Sequence, residues 1–352
     1  MKTQINLNEK NILVTGSPGF IGANLVLRLL SEMSGGKIVS VDNLNNYYDV
    51  GLKNYRLGLI ENAAKNSEAT HEFIKGDIAD KNFIDDLFAR YKFEIVVNLA
   101  AQAGVRYSIE NPGAYIESNI VGFFNILEAC RHDKKLEHLI YASSSSVYGG
   151  NKKIPFSTDD KVDSPVSLYA ATKKSDELLA HAYSKLYKIP SSGLRFFTVY
   201  GPAGRPDMFY YLAAGKLSRS EKIQLFNYGN MKRDFTFIDD IIEGVFRVMQ
   251  LAPAGEIPYQ ILNIGGGQPE NLLDFVATLQ EELVNAGVLP SDYDFEAHRE
   301  FVEMQPGDVP ITFADSSILE REYNFTPKIG IREGLRSFAR WYAEYYNFQQ
   351  EN

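Results

Sequence analysis

The spacing of apolar residues changes along the chain in a regular order. Asn11-Ile12-Leu13-Val14-Thr15 is a short continuous apolar run, which predicts a strand buried on both faces. Gly16-Ser17-Pro18-Gly19-Phe20-Ile21-Gly22 follows, and Ile21, Leu25 and Leu29 then recur at one-turn spacing, which predicts a helix. Further strands are expected at 38–41, 73–75, 95–99, 138–142 and 192–196. Helices are expected at 51–65, 81–91 and from Tyr169 to a stop at Lys188-Ile189-Pro190. Asn119 is read as opening another helix, with Ile120, Phe123, Phe124 and Leu127 along one side as core or as a subunit interface.

Beyond Phe196 the rhythm breaks. Residues 198–208 read as loop, and 223–226 with 233–237 read as a hairpin about Gly229-Asn230. A helix over 238–249 returns to the first half. Residues 261–264 form a strand, Gly265-Gly266-Gly267 reads as a turn, and a last helix runs to about Tyr346. Strands alternating with helices predict an α/β fold, a doubly wound parallel sheet of Rossmann type, with a smaller mixed α/β C-terminal substrate domain. Residues 1–196 plus about 235–263 would form the first domain, and about 197–234 plus 264–346 the second.

Composition narrows the function classes. The 352 residues are 45% hydrophobic with a net charge of −9 and no basic tract, so a nucleic-acid partner is not expected. The single cysteine, Cys130, leaves no intramolecular disulfide and no cysteine-built metal site, and suits a reducing compartment. No apolar leader or membrane-length apolar run occurs, so a soluble cytoplasmic protein is expected, with no membrane partner.

Candidate chemistry then falls at the predicted strand ends. Gly16, Gly19 and Gly22 between a strand and a helix allow a tight turn and a close backbone approach to a pyrophosphate. Asp42 ends the next strand, where a carboxylate would bridge ribose hydroxyls and favour NAD over NADP. Gly76-Asp77-Ile78 ends the third strand, in reach of an adenine, and Ala100-Ala101-Gln102 provides small residues beside a ligand. Tyr169 and Lys173 share a helix face at i,i+4. A free phenol is a poor base at neutral pH, and an ammonium one turn away favours its ionised form. The run Ser143-Ser144-Ser145-Ser146, delivered by a strand to the same edge, could relay a proton. Together these groups suit removal of a hydroxyl proton while the carbon loses hydride.

The motifs together resemble the extended short-chain dehydrogenase/reductase family, in particular its nucleotide-sugar epimerases and dehydratases, over residues 11–341. Residues 42–49, Gln102-Ala103-Gly104-Val105-Arg106-Tyr107-Ser108, Gly204-Arg205-Pro206-Asp207-Met208 and Gln305-Pro306-Gly307-Asp308-Val309 are similar to UDP-glucuronate 4-epimerases. UDP-galactose 4-epimerases generally carry arginine where Gln305 stands, and Ser17-Pro18 departs from the family's usual small residues while leaving the glycines in place. By alignment on Val147-Tyr148-Gly149, the resemblance places the catalytic hydroxyl on Ser144, beside Tyr169 and Lys173. It implies tightly bound NAD held by Gly16, Gly19, Phe20, Ile21, Gly22, Asp42, Asn43, Asn45, Asp77, Ile78, Leu99, Ala100, Ala101, Gln102, Asn119, Tyr169 and Lys173. A UDP-sugar would meet Arg106, Ser144, Ser145, Thr198, Arg205, Arg233 and Asp308, with Arg205 on a carboxylate, Arg233 on the diphosphate and no metal. A homodimer is implied through the helices near residues 119–131 and 169–188.

The serine run also separates activities. Sugar 4,6-dehydratases carry an Asp-Glu pair here and UDP-glucuronate decarboxylases a glutamate before Val-Tyr-Gly; this chain has Ser146 there and no carboxylate between Tyr141 and Gly150. The expectation is 4-epimerisation of UDP-glucuronate. Its rivals are a decarboxylase, a 4-epimerase of UDP-galactose or UDP-N-acetylglucosamine, and a catalytically silent NAD(H)-sensing module.

Overall fold

The computed structural model describes residues 1–304 and 309–348. Among these, seven parallel strands form the main sheet. In chain order they are Asn11–Thr15, Lys37–Asp42, Thr70–Lys75, Ile95–Asn98, His138–Ser144, Ser191–Phe196 and Tyr259–Ile264. Across the sheet the order is seventh, sixth, fifth, fourth, first, second, third. The order reverses between Ile95–Asn98 and Asn11–Thr15, so a crevice opens there at the strands' carboxyl ends.

The apolar runs are continuous because both faces of the sheet are covered. Ile12 and Val14 pack into one cluster with Leu25, Val26 and Leu29 of helix Phe20–Glu32 and Ile241 and Val245 of helix Ile238–Met249. Leu13, one residue out of phase, joins the opposite cluster with Ile84, Leu87, Phe123, Ile126 and Ala180. The first cluster continues without a break through Tyr200, Phe237 and Phe275 to Leu335 and Phe338, so the C-terminal elements share a core with the sheet.

Several local expectations need correction. The hairpin does not form. Ile223–Leu225 pairs in parallel with Arg299–Phe301, while Lys232–Phe237 lies between Thr198–Tyr200 and Pro269–Asn271. Asn227 and Tyr228 both take left-handed conformations within a turn, Phe226–Gly229, that separates the two strands, each of which pairs elsewhere. The start of the supposed loop at 198 is therefore a strand. Asn119 does not open a helix: it lies inside a π-helical turn, Ile116–Gly122, continuous with Phe123–His132. The stripe beside it is split, since Phe123 and Leu127 are buried and Phe124 is exposed. Strand Lys2–Gln4, paired with Leu251–Pro253, and helix Phe209–Leu217 were not expected from the sequence. No helix among the described residues is long and apolar enough to cross a membrane.

Arg233 is placed by its buried neighbour. Asp234 Oδ1 accepts from the Gly266 N–H at 2.6 Å, and Oδ2 accepts from Gly267 at 3.0 Å and Ala314 at 2.9 Å. One carboxylate thus joins a strand, the glycine turn and the 311–315 segment. Asp234→Asn places an amide N–H group among these donors and should cost about 1–3 kcal/mol, seen as a lower urea midpoint at unchanged m-value.

Candidate active site

A cavity of about 910 Å³ lies along the crevice and continues beneath the C-terminal elements. Its lining includes nearly every site residue expected from the sequence. Gly16, Gly19, Phe20, Ile21, Gly22, Asp42, Asn43, Asn45, Asp77, Ile78, Leu99, Ala100, Ala101 and Gln102 surround one half. Ser144, Ser145, Tyr169 and Lys173 stand in the middle, and Arg106, Thr198, Arg205 and Arg233 surround the other half. Asn119 is not part of this lining. It is buried, donating through Nδ2 to the Gln102 carbonyl and Thr172 Oγ1 and accepting at Oδ1 from the Gln102 N–H. It fixes the 100–104 segment against the Tyr169 helix. Asp308 falls outside the described residues.

The first half fits a dinucleotide. Gly16 has φ +71°, and a Cβ there would lie 2.7 Å from the Ala100 nitrogen; at Gly22 it would lie 2.3 Å from the Gly16 carbonyl oxygen. The turn is therefore closed tightly enough to leave the helix N-terminus of Phe20–Glu32 open to an anion. Asp42 is buttressed by the Leu44 N–H at 2.7 Å and by Lys53 Nζ at 3.5 Å. Burial pushes the Lys53 ammonium down, and Asp42 opposes this. Asn43 donates to Asp77 Oδ2, linking the segments that follow two strands.

Arg56 was not anticipated, although its position was readable. Leu52, Arg56 and Ile60 recur at one-turn spacing, which puts a charge within an apolar stripe. The side chain is 1% exposed. Its guanidinium donates to the carbonyls of Pro18, Ala203 and Gly204 and to the Tyr48 hydroxyl, at 2.7–2.9 Å. One arginine thus spans from the glycine turn to the loop that carries Arg205.

Tyr169 sits in the first turn of helix Leu168–Tyr187, capped by Ser167 Oγ, which accepts from the Ala170 N–H. Lys173 is 3% exposed and donates to Asp176 Oδ2 at 3.0 Å. Burial pushes the Asp176 carboxyl up to about 7, with Lys173 opposing. The four serines divide their roles. Ser143 donates to Glu177 Oε1 at 2.7 Å, and Ser144, at the end of its strand, accepts from the Ser146 N–H at 3.1 Å and keeps its own proton for donation.

A carboxylate does therefore reach the serine run, but from the Tyr169 helix. Glu177 receives Arg195 Nε and Nη2, both at 2.8 Å, as well as Ser143. Burial alone would raise its carboxyl; the Arg195 hydrogen bonds and charge, with Ser143 and Lys174, hold it below the ordinary range. A carboxylate so occupied is a structural tie, not a spare acid or base.

The family model described as "NAD dependent epimerase/dehydratase family" matches residues 12–265. The chain is 46% identical over 351 residues to Protein CapI of Staphylococcus aureus, covering 95% of this chain and 99% of that protein. It is 40% identical over 352 residues to UDP-glucuronate 4-epimerase 2 of Arabidopsis thaliana, covering 96% of this chain and 77% of that one. The UDP-glucuronic acid 4-epimerase of Bacillus cereus, solved with UDP-glucuronic acid and NAD, superimposes with a TM-score of 0.83 at 32% identity, covering 96% of this chain and 100% of that chain.

Glu177→Gln leaves Arg195 buried without its countercharge and should lower stability at pH 7 by about 3–5 kcal/mol. Because folding lowers the Glu177 pKa, this stabilisation is present above the ordinary carboxylate range and is lost as pH falls. Denaturation curves of the two proteins should therefore converge as the pH is lowered through and below that range.

Proposed function

Since this chain belongs to the NAD-dependent epimerase/dehydratase family, we propose that it interconverts UDP-glucuronate and UDP-galacturonate by transient oxidation at C4. The observation that carries this reading is the single cavity. It joins a dinucleotide cradle to a cluster of arginines through Tyr169, so a sugar held by the arginines meets the cofactor at one reacting position. NAD, when bound, supplies a reversible acceptor for the hydrogen on C4.

The residues of this chain do the rest. Tyr169, beside the Lys173 charge, takes the 4-hydroxyl proton, and Ser144 orients that hydroxyl by donating to its oxygen. Arg233 holds the diphosphate, which stays fixed while the 4-keto ring turns to present its other face. Tyr169 then returns the proton to the new C4 oxygen. Arg205 and Thr198 meet the carboxylate. The 4-keto uronate is a β-keto acid and loses CO₂ when its carboxylate bond aligns with the ketone π system, so an oriented guanidinium suits the task better than a lysine. The engagement of Glu177 by Arg195 supports epimerisation over decarboxylation, because it leaves no spare carboxylate at the serine run.

We read residues 1–196 with about 235–263 as the cofactor half and about 197–234 with 264–346 as the sugar half. Exposed Phe124, Leu178, Leu186 and Tyr187 on two neighbouring helices support a homodimer. We place the reaction in the cytoplasm, the reducing compartment that the single free Cys130 suits.

Incubation with UDP-glucuronate and no added cofactor should yield UDP-galacturonate by NMR, with a C4 deuterium label retained. A UDP-pentose, or label lost to solvent, rejects the reading. Tyr169→Phe should lower kcat by roughly 10²-fold or more with little change in NAD content. Arg205→Ala should weaken UDP-glucuronate binding far more than NAD binding; equal losses reject its assignment.

A further inference from the structure

Arg205 does not meet the cavity as a bare cation. Its Nε donates to Asp207 Oδ1 at 3.0 Å and its Nη2 to Oδ2 at 2.5 Å, a two-point fork within a span of three residues. Asp207 Oδ2 also accepts from the Tyr47 hydroxyl at 3.1 Å. All three side chains line the cavity. The fork uses the Nε and Nη2 side of the guanidinium, so a second carboxylate would meet it from the Nη1 side.

The surroundings fix this arrangement from several elements. The Tyr47 ring lies 4.9 Å from that of Tyr107. The Tyr115 hydroxyl donates to the carbonyls of Ala103 and Gly104, and the Tyr115 ring stands edge-on to Tyr169 at 6.0 Å. A Cβ at position 104 would lie 2.7 Å from the Tyr47 hydroxyl, so the loop closes directly on the Tyr47–Asp207 contact. Burial, followed by the Asp207 charge, raises the Tyr47 phenol and keeps it a donor. Burial alone would raise Asp207, but Arg205 and Tyr47 hold its carboxyl below the ordinary range, so it stays ionised.

We propose that Asp207, positioned by Tyr47, balances the charge of Arg205 so that the sugar carboxylate is oriented by directed hydrogen bonds yet can be released when the ring turns over. This rests on the proposed 4-epimerisation. That reaction makes two opposed demands on the same contact. While C4 is a ketone, the carboxylate must stay out of line with the π system. Alignment lets the C5–C6 bond break, its electron pair passing into the ketone as an enolate that takes a proton at C5 as CO₂ leaves. Between the two faces, the ring must carry its carboxylate away from the first position. An unbalanced, half-buried guanidinium meets the first demand and resists the second. An ion pair keeps the direction of the remaining donors and offsets the long-range pull. Asp207 is a positioning residue here, acting through Arg205.

The test compares wild type, Asp207→Asn and Tyr47→Phe with UDP-glucuronate, following UDP-galacturonate by NMR and CO₂ release in parallel. Asp207→Asn should lower KM and kcat together, each by roughly tenfold, the scale of one charge-assisted hydrogen bond, and should release no more CO₂ than wild type. Tyr47→Phe should shift the same quantities in the same direction by less. Unchanged kcat, a raised KM, or released CO₂ overturns the proposal. If Asp207→Asn shows no cooperative melting transition, Tyr47→Phe decides alone, and wild-type constants in that variant overturn it. A wild-type enzyme that does not turn over UDP-glucuronate refutes the proposed function itself and takes this inference with it.

Discussion

The Glu177 carboxylate is the point on which the arrangement of the site depends. It projects from the helix that carries Tyr169, receives Ser143 from the strand that carries Ser144, and is forked by Arg195 from the adjoining strand. The Tyr259 hydroxyl, from the strand beyond, donates to the Glu177 carbonyl. Three strands of the sheet are thereby registered against one helix at the level of the reacting groups. Such a cluster is costly to bury and contributes little net stability compared with apolar packing of the same volume. What it supplies is position. Apolar contacts between helix and sheet tolerate sliding, whereas a two-point fork with a third donor does not. A shift of about 1 Å between base and substrate can cost roughly 10²-fold in rate, which is a reason for a site to keep an expensive tie.

Arg56 applies the same logic across the crevice. Its donors are met by three carbonyls and a hydroxyl, so its charge is spread over backbone dipoles. Two of those carbonyls immediately precede Arg205 and one belongs to the glycine turn. The glycine turn and the loop that carries Arg205 are thus anchored to one guanidinium. The shared apolar cluster, running from Ile12 to Phe338, holds the same two regions together on a larger scale.

Much of this was legible in the sequence because the elements that build the main sheet are set by local pattern. Continuous apolar runs between glycine turns and amphipathic helices predicted its strands, and i,i+4 spacing placed Tyr169 beside Lys173. The C-terminal half was less legible for a physical reason. Its strands are three to six residues long and pair with partners far away in sequence, so Ile223–Leu225 meets Arg299–Phe301 and not its neighbour Lys232–Phe237. Proximity along the chain suggests a hairpin, and the left-handed pair Asn227-Tyr228 is compatible with one; what decides against it is the pairing of each strand with a distant partner. In the site, cavity-lining residues on strand ends were found, while the residues that hold them were missed. Glu177, Asp176 and Arg56 are charges in core-facing positions; Arg195 and Ser143 reach Glu177 from other elements, as do the partners of Arg56, and Asp176 pairs with Lys173 of its own helix. Asn119, which the resemblance puts among the cofactor contacts, is engaged through its amide by Gln102 and Thr172, partners the sequence could not show.

The two arginine–carboxylate pairs of the site have the same chemistry and different surroundings, and the difference separates their roles. Arg195 and Glu177 have side chains only 3% and 2% exposed; neither can leave the other without stranding a charge in the interior. Arg205 and Asp207 are 26% and 29% exposed and border the cavity, where solvent or an incoming carboxylate can replace part of what each loses. The first pair is suited to stay fixed through every turn of the cycle. The second has the partial hydration that lets hydrogen bonds be exchanged within a catalytic cycle. A site that must hold its base still while its substrate turns over requires both kinds of contact, and burial is the variable that distinguishes them.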